Sequence, residues 1–139
     1  MLVRRAAPGD EGAVRALRIA AMTDSPEAFG STAERERGRT TEDWTAMVAS
    51  GEMFLLEDGP IPVGLAGLHE GHLVSMWVAP EARGQGGGDR LVEAVVADAD
   101  GAELHLWVTD GNDRARRLYE RHGFELTGRR EVRMRDRFA

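Results

Sequence analysis

Arg83, Gly84, Gln85, Gly86, Gly87 and Gly88 form a run with the composition of a loop that binds an anion through its backbone. The run follows an apolar stretch at 73–78 and Pro80. It precedes Leu91, Val92, Val95, Val96 and Ala99, which recur at helical spacing. A helix starting there exposes about four unpaired N–H groups in its first turn. Its macrodipole adds roughly half a positive charge. Glycine lets the backbone approach a phosphate closely and take positive φ. Such a site suits a pyrophosphate, and the glycines alone leave an ordinary turn as the alternative.

Two familiar phosphate loops do not fit. The nucleoside-triphosphate loop needs Gly-Lys-Ser/Thr, and no lysine follows these glycines. In the dinucleotide fingerprint a third glycine belongs where Asp89 stands, and the loop opens an early βαβ unit. Here it comes late, after three strand-like runs.

The elements that must position this loop read as follows. Residues 2–6 form a first strand, and Pro8, Gly9 and Asp10 turn into a helix with Val14, Leu17 and Ala21 inward. The polar stretch 23–39 reads as a loop or broken helix. Thr40 followed by Asp43 predicts a capped short helix through Trp44, Met47 and Val48. Runs at 53–56, 63–68 and 73–78, with turn residues at 58–60 and at Glu70 and Gly71, predict an antiparallel meander. After the glycine loop and its helix come a fifth strand at 104–108 and a helix over 112–122. Ala115, Leu118 and Tyr119 face inward on that helix, and closing strands follow at 124–126 and 132–134. The order β-α-α-β-β-β-α-β-α-β-β predicts an α/β fold: a mixed, mostly antiparallel sheet in a three-layer α/β/α arrangement.

A chain of 139 residues is expected to make one domain over 1–139. With 42% hydrophobic and 30% charged residues it carries enough apolar surface for a packed core. No stretch approaches the roughly 20 apolar residues of a membrane helix. Residues 1–6 lack the apolar run of a signal peptide, so a cytoplasmic location and no membrane partner are expected. Cysteine is absent, which excludes an enzyme thioester and thiolate metal sites. His105 and His122 have no third ligand at metal spacing, so no metal is expected. The net charge of −6 disfavours a nucleic-acid partner and mildly favours a cationic one such as an amine.

Residues 78–91 resemble the acetyl-CoA signature of the GNAT superfamily of N-acetyltransferases. Its core, Arg/Gln-x-x-Gly-x-Gly/Ala, is met by Arg83, Gly86 and Gly88. A second block of that family, Asn-x-x-Ala-x-x-x-Tyr-x-x-x-Gly-Phe, is met by Asn112, Ala115, Tyr119, Gly123 and Phe124. The element order agrees across nearly the whole chain. Two departures stand out. Gly87 occupies a position where relatives carry a larger residue, so the empty loop is expected to be loose and to order on the pyrophosphate. Asp89 puts a carboxylate in the first helical turn, where it is expected to face away from the site.

The resemblance implies an acetyl-CoA-dependent N-acetyltransferase that transfers acetyl directly to a primary amine on a small molecule or peptide. It implies that N–H groups from Gln85 to Gly88 bind the pyrophosphate, with Arg83 and Gly84 beside them. Met76 and Val78 would offer backbone groups to the pantetheine arm, and the N–H of Val78 or a neighbour would meet the oxyanion. Tyr119 would be the general acid, because a phenol is protonated at neutral pH. Asn112 would cap its helix, bind the cofactor arm, or both. Glu27, Phe29 and Trp44 are the acceptor-side candidates, with His72, Ser75 and Trp77 also weighed. A homodimer is among the assemblies that relatives form. The rival readings are a catalytically silent acyl-CoA-binding or regulatory module on the same fold, and an interaction domain whose loop is only a turn.

Overall fold

Tight turns set the register of the sheet in this computed structural model, which describes residues 1–125. Leu2–Arg5 (β1), Met53–Asp58 (β2), Ile61–His69 (β3) and His72–Val78 (β4) pair antiparallel in the order β1-β2-β3-β4. His69 pairs with His72 across Glu70 and Gly71, which lie at φ 48° and 77°. Positive φ at both central residues is what a twisted two-residue hairpin turn demands.

The helices are Glu11–Asp24 (α1), Ala33–Arg37 (α2), Thr41–Ala49 (α3), Gly87–Ala99 (α4) and Asp113–Arg121 (α5). Short 3-10 turns at Pro26–Ala28 and Pro80–Ala82 complete the described chain. The predicted box is present on α3: Thr40 accepts from the Asp43 N–H, and Asp43 accepts from the Thr40 N–H. The stretch 23–39 is indeed a broken helix, with Thr32 capping α2. Asp10 stands at the N-cap of α1 without capping it. Its carboxylate instead accepts from the Ala7 N–H and forks onto Arg4 at 2.7 and 2.8 Å.

α1 packs on α2, α3, β3 and β4, whereas α4 lies across all four strands with α5 beside it. Successive strand residues point to opposite faces. Leu56 therefore faces α4 while Leu55 faces the other helical layer, and both are fully buried. Each such leucine contributes about 1.5–3 kcal/mol through apolar burial. Val96, expected inward, is 41% exposed on the outer side of α4.

Gly87 and Gly88 belong to the first turn of α4 and not to the loop. A Cβ at Gly87 would lie 2.5 Å from Leu56 Cδ2, a side chain already wedged against Gly64. Gly87 thus allows the close approach of helix to sheet.

The expected fifth strand at 104–108 is reduced to one parallel bridge, His72 with His105. Its cause is a bulge in β4, where Ser75 and Met76 stand opposite the single Ala66 and Ser75 takes φ 57°. β4 bends there, and the ladder to 104–108 stops. The expected strands at 124–126 and 132–134 run into or fall within 126–139, outside the described residues. Among the described residues, no helix is long and apolar enough to cross a membrane.

Candidate functional site

Where β4 parts from 104–108, a pocket of about 100 Å³ opens between Ser75 and Met76 on one side and Trp107 and Val108 on the other. Tyr119 and Phe29 wall it, and it shares both with a cleft of about 700 Å³ that runs past Met76 and Val78 to the start of α4. Gly86 is the N-cap of α4, at φ 81°, and no side chain caps that helix. Among the described residues no partner is seen for its first-turn N–H groups, which meet the cleft in the geometry an anion needs.

Val78 has its backbone aimed at the same cleft. The Ala79 N–H donates to the Val63 carbonyl at 2.8 Å, and Val78 pairs with Gly64. In an antiparallel ladder bonded and non-bonded pairs alternate, so the Val78 N–H and C=O point away from β3. The Arg83 Nε–H donates to the Val78 carbonyl at 2.9 Å. Arg83 Nη2 also donates to Asp24 Oδ2 at 2.7 Å. Asp24, at the end of α1, accepts from Trp77 Nε1 at 3.0 Å and from the Ser25 hydroxyl. The Trp77 indole, then Arg83 and Ser25, hold the Asp24 carboxyl down at about 2.

Met76, Val78, Arg83, Gly84, Gly86, Gly87, Gly88, Asn112 and Tyr119 all line the larger cleft, together with Glu27, Phe29 and Trp77. Gln85 is exposed and does not. Trp44 does not either: α3 lays it into the core at 4% exposure, with the Arg39 guanidinium 6.0 Å from its ring. His72 sits outside both spaces, its ring 5.6 Å from that of His105. Asp89 lines the cleft rather than turning from it, but its carboxylate is held by His122 Nε2 at 2.8 Å and Arg121 at 3.1 Å. His122 first, and Arg121 after it, keep that carboxyl below its ordinary range. Asn112 caps α5 by accepting from the Ala115 N–H at 3.3 Å.

Two features escaped the sequence reading. Arg114, Arg117 and Arg121 line the cleft from α5. Their i, i+3, i+7 spacing was the available signal. The other is a buried charge network. Arg18 donates to Glu36 at 2.6 Å and to Ser75 Oγ at 2.8 Å, and Glu36 also accepts from Ser31 and Arg39. Arg18 and Glu36 are 1% and 0% exposed. The network draws on α1, on α2 with Ser31 and Arg39 beside it, and on β4, so no local pattern announces it.

Burial pushes the Tyr119 hydroxyl well above the ordinary tyrosine value near 10. With the neutral form favoured in the folded state, its contribution to stability is complete below pH ~10 and is lost as pH rises further. Tyr119 is the only tyrosine in the chain, so absorbance at 295 nm reports it alone. No phenolate signal is expected at pH 10–11 until the protein unfolds. A reversible titration near 10 in folded protein would show the hydroxyl to be solvated.

Residues 15–124 match the model of the acetyltransferase (GNAT) family. The peptidyl-lysine N-acetyltransferase YjaB of Salmonella typhimurium is 38% identical over 71 residues, 51% of this chain and 48% of that protein. The chain thus spans about half the length of the curated relative it matches. In structure it is similar to yncA of Salmonella typhimurium, solved with acetyl-CoA. The TM-score is 0.73 at 19% identity, over 91% of this chain and 80% of that one. It is also similar to a ribosomal-protein-alanine N-acetyltransferase from Brucella melitensis, with a TM-score of 0.64 at 23% identity over 90% and 85% of the two chains. With the split at β4, the uncapped α4 and a family match over most of its length, the chain belongs to the GNAT acetyltransferase family.

Proposed function

We propose that this protein is an N-acetyltransferase that takes acetyl from acetyl-CoA and passes it directly to a primary amine. The observation that carries the reading is the continuity of the two spaces. The uncapped start of α4 opens on the 700 Å³ cleft, and that cleft leads past Val78 and Met76 to Tyr119 and the 100 Å³ pocket. Pyrophosphate would lie on the N–H groups of the first turn of α4. Arg114, Arg117 and Arg121 give the cleft a positive wall that suits phosphates. The pantetheine arm would follow β4, and the thioester would meet the amine in the pocket.

The chemistry then balances without an enzyme-bound intermediate. The neutral amine nitrogen attacks the thioester carbon. The Val78 N–H, aimed away from β3, is placed to donate to the oxyanion. Collapse breaks the C–S bond. The nitrogen gives its extra proton to water as the amide forms, the leaving thiolate takes a proton for which Tyr119 is the donor, and the Tyr119 phenolate regains its proton from solvent. Holding both reactants in one cleft supplies much of the rate. On the acceptor side, Glu27 is exposed at the cleft rim and Phe29 forms an apolar wall. An amine on an aliphatic arm, such as a lysine side chain of a peptide, suits that pairing. The relative named for peptidyl-lysine acetylation favours the same class.

Calorimetry and single-turnover assays with lysine peptides test this. Binding of acetyl-CoA in the micromolar range and release of one thiol per acetylated amine are expected. Binding without turnover on any amine would favour the silent acyl-CoA module, and no binding at millimolar acetyl-CoA would remove the reading.

A further inference from the structure

The geometry points to Asp24 and Arg83 as a two-residue clamp that positions the Val78 peptide, with Arg83 serving the backbone of β4 rather than a phosphate. Arg83 lies at the mouth of the glycine loop, where a cation is easily read as a phosphate ligand. Two of its three guanidinium nitrogens are committed elsewhere. Nε donates to the Val78 carbonyl at 2.9 Å, and Nη2 donates to Asp24 at 2.7 Å. Asp24 in turn accepts from the Trp77 indole at 3.0 Å, on the residue preceding Val78.

The clamp acts where the sheet cannot. Past the bulge at Ser75 and Met76, β4 has lost its ladder to 104–108, so among the described residues no strand holds that edge. The Val78 peptide groups point to that edge. A carbonyl fixed by Arg83 limits rotation of its peptide planes, and the Trp77 side chain is fixed by the same carboxylate that fixes Arg83. A charge-assisted bond of this type is roughly twice as strong as a neutral one. The end of α1, the side chain of Trp77 and the backbone of Val78 are thereby joined through one carboxylate and one guanidinium. Asp24 and Arg83 touch no reacting atom and are positioning residues.

This inference rests on the proposed acetyl transfer, so its test has two arms. Asp24→Asn keeps shape and removes charge. Arg83→Met keeps length and removes every donor. In the first arm, kcat at saturating acetyl-CoA and the Kd for acetyl-CoA are measured together. Each substitution is expected to lower kcat about 10-fold, below the cost of deleting an oxyanion donor outright, with Kd changed less than about 3-fold. A phosphate ligand would give the reverse for Arg83→Met, with Kd raised at least 10-fold and kcat kept. It would also leave kcat intact in Asp24→Asn, which frees Arg83. Either pattern overturns the clamp.

The second arm is hydrogen exchange across 74–79, which needs no activity. Both variants are expected to speed exchange there about 10-fold, with Tm within a few degrees of the parent. Unchanged exchange overturns the clamp whatever the kinetics. If the parent protein neither binds acetyl-CoA nor turns over, the proposed function fails on its own, and exchange alone decides the clamp.

Discussion

Tyr119→Phe is expected to lower kcat about 100-fold, the lower range for losing one proton donor, and to leave the Kd for acetyl-CoA within about 2-fold. In free energy that loss is about 2.7 kcal/mol of transition-state stabilisation. The two readouts separate because the hydroxyl and the ring do different things. The ring lies edge-on to Phe124, with centroids 5.8 Å apart and planes at 66°, and phenylalanine keeps that contact. Tyr119 lines both the pocket and the cleft, and its hydroxyl is the proton donor proposed for the leaving sulfur. Burial raises its pKa, so it keeps its proton at every working pH. The same burial disfavours a lasting phenolate, so Tyr119, having donated, must be reprotonated from solvent before the next turnover. The rate should then rise with pH as the acceptor amine loses its proton, and no fall attributable to Tyr119 should appear up to pH 10. An unchanged kcat in the variant would reduce Tyr119 to a packing residue.

How the site came to be readable differs from one residue to the next. The capping box on α3 was legible because Thr40 and Asp43 are three residues apart and need nothing else. The loop and α5 were legible because two short blocks each hold their chemistry within about a dozen residues. Trp44 was not, since helical spacing cannot tell a core aromatic from one that lines a pocket. The apolar run at 104–108 has strand composition, yet its pairing is decided by a bulge some 30 residues earlier in β4. Gly87 looked like freedom beside Gly86 and Gly88. Only the position of Leu56, on a strand far away in sequence, shows it to be a requirement of packing. Arg83 matched the family pattern and still finds its partners on Val78 and Asp24. For Gly87 and for 104–108 the deciding contact is long-range, and residue type carries little information about it.

The buried network around Glu36 is the extreme case, and it carries the largest expected effect on stability. Glu36→Gln should destabilise the protein by about 3–5 kcal/mol, the range for removing one partner of a buried ion pair. Glu36 receives Arg18 Nε at 2.6 Å, Arg39 Nε at 2.9 Å and the Ser31 hydroxyl at 2.8 Å. An amide offers one acceptor oxygen and brings two more donors. Two guanidinium groups would then share a site with no counter-charge on Glu36. Arg39 Nη2 already has no hydrogen-bond partner among the described residues. Stabilities of 5–15 kcal/mol are usual, so much of the margin would go. The exposed pair Arg116–Glu120 is the control: both side chains are about half exposed, and Glu120→Gln should cost under about 1 kcal/mol. Urea denaturation of both variants checks the contrast. Arg18→Met with Glu36→Leu should recover part of the loss, because apolar replacement of a whole buried pair is often close to neutral. Recovery would stay incomplete, since Arg39, Ser31 and Ser75 each lose a partner with it. If Glu36→Gln cost no more than Glu120→Gln, the network would have to be solvated, and its link between α2 and the β4 bulge would carry no weight.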